Sequence, residues 1–265
     1  MNAERHPLAL AYRHRRILVA TMLDELRQRY AGTTIGLAWV VLYPAVLIAL
    51  YVVVYLFVFR VQPPGVEPGV YVLRIMCGLV AVMGFNEGLN AGTGTLAANR
   101  TLLLNAVFPS ELLPLRSALA AQGTAVVGLA LCAGASVYLG LASWTLFLMP
   151  VFWLLELFFI VGLAWVTSLA NLVARDVQQV LAFLTISLLI ASPIAFTPDM
   201  APGPLKVLIY VNPLSYFVLA QQALCVEGRL PDAQTAAVAV VLAGVAFTLG
   251  FAVFRRAKRA VLDYV

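Results

Sequence analysis

Leu42 to Phe59 reads LYPAVLIALYVVVYLFVF, without a single charged side chain. The apolar run begins earlier, near residue 37. At 1.5 Å per residue, a helix over 37–59 is about 35 Å long, enough to cross a hydrocarbon layer about 30 Å thick. The stretch is therefore a membrane span, but an unusual one, because it carries Pro44 and the tyrosines Tyr43, Tyr51 and Tyr55. With its centre near Ile48, Tyr51 lies only about 4–5 Å from the midplane, short of the interfacial belt where tyrosine normally sits. Its hydroxyl then needs a partner or water, since an unmet buried hydroxyl costs about 1–3 kcal/mol. Tyr51, Tyr55 and Phe59 fall at i, i+4 and i+8 and make one aromatic stripe, and Trp39 and Tyr43 make a second i, i+4 pair half a helix below. Pro44 is expected to kink the span near one end.

The rest of the chain agrees with a membrane setting. Of 265 residues, 63% are hydrophobic and 11% charged, against about 25% charged in soluble domains. Runs of sufficient length occur at about 37–59, 70–91, 118–141, 146–170, 180–196 and 235–254, giving six spans. The run from Leu205 to Cys225 is broken at Asn212-Pro213 into two pieces, each too short to cross. The formal charge of +5 does not point to nucleic acid, because the basic residues are sorted between loops and form no patch. With the N-terminus inside, the cytoplasmic segments hold Arg5, Arg13, Arg15, Arg16, Arg27, Arg29, Arg100, Arg116, Arg175, Arg255, Arg256, Lys258 and Arg259. The outer side keeps Arg60, Arg74, Lys206 and Arg229. Both termini are expected in the cytoplasm.

Before the first span, Val19, Met22, Leu23, Leu26 and Tyr30 share one helical face, with Asp24, Glu25, Arg27, Gln28 and Arg29 opposite. This pattern predicts an amphipathic helix in the cytoplasmic interface, its arginines toward lipid phosphates. A soluble helix docked on a partner is the alternative. The start of the chain lacks the apolar core and cleavage site of a signal peptide and is expected to be retained.

Several chemistries lack their residues. Cys77, Cys132 and Cys225 are far apart and odd in number, so they encode neither a disulfide framework nor a zinc site and are expected to be buried spectators. The histidines His6 and His14 both lie in the N-terminal segment, so the spans hold no histidine for metal or triad chemistry. The phosphate-cradling GxxxxGK[ST] loop is missing, since neither Lys206 nor Lys258 follows a glycine. The chain is not expected to hydrolyse ATP, and no cofactor or metal is expected on it. Arg74 is expected to snorkel from the outer end of span two, and Glu87 lies near its inner end in the polar run FNEGLN. Glu156, in FWLLELFF, is central to its span, and one buried carboxylate is more readily structural than proton-coupling.

Four stretches, read together and in order, carry a resemblance: RYAGTTIGLAWVVLYPAV (29–46), NRTLLLNAVFPSELLPLRSALAAQ (99–122), ARDVQQVLAFLTISLLIASPIAF (174–196) and YVNPLSYFVLAQQAL (210–224). The chain resembles the ABC-2 permease family, the membrane subunits of O-antigen, teichoic acid and capsule exporters, with the O-antigen and teichoic acid branch somewhat closer. The resemblance implies a single ABC-2 type transmembrane domain over 1–265 in a bacterial inner membrane. It further implies a second copy of the chain and two ATP-binding cassette subunits that carry the ATP and Mg. Together these drive a lipid-linked glycan outward.

The resemblance also gives segments roles. A glycan needs a wall of flat π faces and hydroxyls without a deep trap, which Trp39, Tyr43, Tyr51, Tyr55 and Phe59 would supply. Ordinary helix packing, or an interfacial belt for Trp39 and Phe59, is the alternative. The loop between spans two and three is expected to hold the coupling helix that meets the ATPase. A short helix over about 99–106 would present Asn99, Arg100 and Leu103, and FPSELLP follows with Phe108, Pro109 and Glu111. Pro109 suits the first position of a helix and Glu111 its N-terminal dipole. Arg175 and Asp176, in the second inner loop, are expected at the same contact. On the outer side, two short re-entrant helices meeting at Asn212-Pro213 would make a gate with Tyr216 and Phe217, unless that segment lies flat on the leaflet. Two rival functions stand beside export of a glycan: an ABC-2 exporter of drugs or small lipids, and a membrane glycosyl- or acyltransferase, for which Glu87 and Asp199 are isolated candidates.

Overall fold

A computed structural model describes residues 7–54, 65–100, 109–196 and 203–262 of the chain. Its regular elements are helices. α1 (Pro7–Arg13) and α2 (Arg15–Tyr30) precede a 3₁₀ turn, Gly36–Ala38, that opens into α3 (Trp39–Val53). α4 (Pro68–Ala98) follows, then α5 (Leu112–Ala121) and α6 (Gly123–Tyr138), which meet at Gln122. A second 3₁₀ turn, Trp144–Leu148, leads into α7 (Met149–Val173). α8 (Val177–Ala191), α9 (Gly203–Val211), α10 (Pro213–Cys225) and α11 (Ala233–Leu262) complete the order.

Among the described residues, five helical stretches are long and apolar enough to cross a membrane: Gly36–Val53, Pro68–Ala98, Leu112–Tyr138, Trp144–Val173 and Ala233–Lys258. The chain is a multi-pass, all-helical membrane protein. The stretch expected as the fifth span forms α8, an apolar helix that at 15 residues is shorter than these five. At about 1.5 Å per residue it reaches about 22 Å. It stops at Ser192 because Pro193 follows, and a residue before proline is pushed out of the helical region.

α4 is the hub, packed against α5, α6, α7 and α10, while α7 pairs along its length with α11. The α7–α11 pair depends on glycine. A Cβ on Gly162 would stand 2.2 Å from the carbonyl carbon of Ala246, and one on Gly250 would stand 2.1 Å from the Gly162 oxygen. The two backbones touch there, as small residues permit in lipid. Trp165 of α7 packs tilted rings against Phe247 and Phe251 of α11, each with centroids 5.1 Å apart.

Span boundaries differ from the sequence expectation where polar residues are buried. The second span was expected to end at 91 and runs on to Ala98, because Gly92, Thr93 and Thr95 are inside the bundle. Thr93 Oγ1 lies 2.6 Å from Thr167 Oγ1, and Ser117 Oγ donates to Thr95 Oγ1 at 2.8 Å. The third begins at Leu112, six residues earlier than expected, and is jointed at Gln122. That side chain donates to the Gly84 carbonyl (2.9 Å) and accepts from Trp153 Nε1 (3.1 Å). Helix α3 continues through Pro44.

Two charged residues are engaged in ion pairs. Glu25, expected on the outward face of the N-terminal helix, points inward and accepts from Arg116 Nε at 2.7 Å. The packed face of α2 carries Leu18, Met22, Glu25 and Leu26, and Val19 and Leu23 turn outward. The face is thus rotated by about one residue, and an ion pair joins Leu18, Met22 and Leu26 in docking α2. Arg74 is held by Glu227 (2.8 Å), beyond the end of α10, beside Gln222 Oε1 (3.5 Å). The three cysteines are free and buried, as expected, and Cys225 Sγ donates to the Cys132 carbonyl at 3.5 Å.

Candidate groove and coupling segment

Tyr43 and Tyr51, assigned to separate stripes by their spacing, come together. With Leu47 between them they form one edge of a groove of about 100 Å³. Leu79, Val82, Met83, Asn86 and Glu87 of α4 make its floor, and Thr185, Ile186 and Leu189 of α8 its other edge. Tyr43 is 46% exposed and Tyr51 half-buried. Trp39 lies a turn before Tyr43 and is 37% exposed. Tyr55 and Phe59 lie outside the described residues.

The groove pairs aromatic faces with polar groups. Glu87 Oε2 accepts from Thr124 Oγ1 at 2.7 Å and has Arg29 Nη1 3.9 Å away. The carboxylate expected to be isolated thus has partners, and it ties α4 to α6 and to the end of α2. Burial, followed by the nearby Glu87 charge, raises the Tyr30 phenol above its usual range at the same junction. Asn86 Oδ1 accepts from Asn90 Nδ2 at 2.5 Å. Asn86 and Thr185 were not singled out from sequence. The polar run FNEGLN was the signal for the first, but a lone threonine in AFLTIS gives none. Asp199 lies outside the described residues. Glu156 is buried on α7 away from this groove, and its Oε1 has no hydrogen-bond partner among the described residues.

The coupling candidates divide. Asn99 caps α4, its Nδ2 donating to the Thr95 carbonyl at 2.8 Å, and Arg100 is exposed just beyond. Leu103 and Phe108 lie outside the described residues. Pro109 is not the first residue of a helix: α5 starts at Leu112, and Pro109 accepts from the Leu112 N–H at 3.0 Å in a turn ahead of it. Glu111 caps that turn and is buried. Its carbonyl accepts from Trp165 Nε1 at 2.8 Å, Ser110 Oγ reaches Oε2 at 3.4 Å, and Lys258 Nζ pairs with Oε1. One residue thus joins the loop to α7 and α11. Arg175 and Asp176 are exposed in the α7–α8 turn.

The gate candidates are clamped. Asn212 Nδ2 donates to the Leu188 carbonyl (3.1 Å) and Ser192 Oγ (2.9 Å), and its Oδ1 accepts from the Leu214 N–H (2.9 Å), so it caps α10 with Pro213 at the first helical position. Tyr216 Oη donates to the Tyr210 carbonyl at 2.8 Å, joining α10 to α9. Phe217 is 0% exposed and stacks on Phe159 with centroids 5.6 Å apart, so in this conformation it is a core residue. Gln222 Nε2 donates to the carbonyls of Pro193 (3.0 Å) and Ile194 (3.2 Å), satisfying backbone that Pro193 frees.

No family model matches the chain. It is 27% identical over 242 residues to the O-antigen export system permease protein RfbA of Myxococcus xanthus, covering 87% of this chain and 90% of that protein. To the O-antigen export system permease protein RfbA of Klebsiella pneumoniae it is 22% identical over 245 residues, covering 91% and 92%. Over about nine-tenths of its length the chain is therefore similar to O-antigen export system permeases.

Proposed function

We propose that this chain is the permease of an ATP-driven exporter of a lipid-linked, O-antigen-like polysaccharide in a bacterial inner membrane. The observation that carries the reading is similarity over about nine-tenths of the chain to two O-antigen export permeases. A permease of an ABC export system works with ATP-binding subunits. Two of these, holding the ATP and Mg, and a second copy of this chain complete the proposed assembly, with residues 1–265 as one transmembrane domain.

In this reading α8 is the fifth of six crossings and both termini are cytoplasmic, as the sorting of arginines and lysines favours. α9 and α10 enter the outer leaflet and return. α10 spans about 20 Å, too little to cross, yet 11 of its 13 residues are buried. A helix lying flat on a leaflet would leave one face uncovered. Asn212, Pro213, Tyr216 and Phe217 form the closed gate, which opens when α10 slides from Phe159.

The groove of Tyr43 and Tyr51 carries sugar. Phenol faces stack on sugar C–H faces without selecting one residue, and Asn86, Glu87 and Thr185 supply hydrogen bonds that are exchanged as the chain advances. Stroke is transmitted at Glu111. An ATPase pushing the segment around Asn99, Arg100, Pro109 and Arg175-Asp176 moves α7 through Trp165 and α11 through Lys258. The test is export in cells of the variant Tyr43→Leu/Tyr51→Leu. Surface glycan falls while the variant remains in the membrane with its ATPase; undiminished export would reject the groove.

A further inference from the structure

Helix α8 is held to the bundle by few side chains: Leu181 and Thr185 are the buried ones among its 15 residues. Its interior carries neither proline nor glycine, so it moves as a straight rod. It starts at the exposed Arg175-Asp176 turn. At its other end the helix breaks before Pro193, and the chain beyond the break is fixed. Tyr71 Oη donates to the Ala195 carbonyl at 2.9 Å, and Gln222 Nε2 holds the Pro193 and Ile194 carbonyls. Ile194 lies so close to α4 that a Cβ on Gly78 would stand 3.0 Å from its Cα. A displacement of α8 is therefore absorbed at the break and does not pass along the chain to α9.

The two ends of α10 are held differently. Its C-terminal end is tied to the bundle. Gln221 Nε2 donates to the Met149 carbonyl (3.2 Å), Thr145 Oγ1 to Leu224 (2.7 Å) and Ser136 Oγ to Cys225 (2.8 Å), and Arg74 holds Glu227 just beyond. At the other end, among the described residues, the hydrogen bonds that leave the first turn of α10 for an element outside the hairpin are those of Asn212. Its Nδ2 reaches the Leu188 carbonyl and Ser192 Oγ, both ahead of the break in α8. Asn212 and Ser192 are 3% and 1% exposed, so water does not stand in for either bond. We propose that Asn212 is a positioning residue that passes the movement of α8 to the outer hairpin, turning α10 about its fixed C-terminal end so that Phe217 leaves Phe159. The inference rests on the coupling turn and the gate of the proposed function. Its chemistry is divided between two atoms: Oδ1 caps α10 through the Leu214 N–H, and Nδ2 makes the link to α8. Aspartate and serine also cap helices, and neither carries the amide donor.

The test uses membranes holding the full-length chain assembled with its ATPase, labelled with a charged, water-soluble maleimide with and without ATP. The reporter is Ser215→Cys in a background where Cys77, Cys132 and Cys225 are alanine. Ser215 is 1% exposed and its Oγ has no hydrogen-bond partner among the described residues, so a thiol replaces it at nearly the same size and meets the reagent when α10 turns outward. ATP is expected to raise labelling. Adding Asn212→Asp or Asn212→Ser is expected to lower that rise roughly tenfold, with protein yield and ATP hydrolysis unchanged, which a merely misfolded hairpin would not allow. Ser192→Ala, which removes one acceptor and leaves the cap intact, lowers the rise by a smaller factor. A rise that the Asn212 variants leave undiminished overturns the inference and leaves the gate standing. No rise with Asn212 in place overturns the inference together with the gate on which it rests.

Discussion

Helices α3 and α4 are neighbours, both apolar, and they meet opposite surroundings. α3 is the more apolar, yet only Pro44 and Ile48 of its 15 residues are buried. α4 carries glycines, threonines, two asparagines and a glutamate, and 18 of its 31 residues are buried. In water this order would be reversed. In a bilayer, lipid is as apolar as leucine, so apolar bulk has no reason to leave it. Helices associate instead through close packing of small residues and through hydrogen bonds. Gly88, Gly92 and Thr93 mark the core, and Val46 and Leu50 mark the edge.

The first way to break this contrast is at its tightest contact. Gly162→Leu forces a side chain into the backbone of α11 and is expected to cost about 3 kcal/mol or more. The measurement is yield of monodisperse protein from membranes, which should collapse. Val46→Leu, on the uncovered face of α3, should leave yield unchanged. Next in size is Phe217→Ala, which empties a buried site between α10 and α7 and is expected to cost about 3–5 kcal/mol, read as a lowered melting temperature.

Such contacts explain why sequence gave the spans more readily than their roles. Hydropathy located the five long apolar helices, because length and apolar content are set by the bilayer. It placed the ends poorly at Ala98 and Leu112, where polar side chains continue the helix and find partners across it. Tyr43 and Tyr51 were legible as misplaced phenols, but their union in one groove was not. Spacing of eight residues joins them only because α4 and α8 supply the other walls. Glu25 was misread since its partner, Arg116, lies 91 residues away. Glu111 was read as a dipole partner, whereas its three contacts come from Ser110, Trp165 and Lys258.

Smaller effects sharpen the contrast. Glu111→Gln keeps the bond from Trp165, which uses the backbone, and loses the charge pair with Lys258. ATP hydrolysis by the assembled transporter is expected to continue while export per ATP falls, measured as glycan exported against phosphate released. Smallest is Asp232, at the start of α11, whose carboxylate accepts from the Thr235 N–H (2.9 Å) and hydroxyl (2.8 Å). Partial burial pushes its pKa up, but these hydrogen bonds outweigh it and hold the group below its usual value. Its folded value being the lower, the cap's contribution is complete above the unfolded value and is lost as pH falls through the folded one. Asp232→Ala should cost about 1 kcal/mol at neutral pH, read by thermal melting, and the difference should vanish in strong acid.

The central claim is that the uncovered phenols of α3 face a hydrated sugar path and not acyl chains. It is tested most directly by Tyr51→Cys in a background where Cys77, Cys132 and Cys225 are alanine, labelled in exporting cells with a charged, water-soluble maleimide. The account predicts labelling at position 51 that is slowed when glycan is being exported, with none at Leu50→Cys. Equal silence at both positions, or labelling indifferent to export, would contradict it.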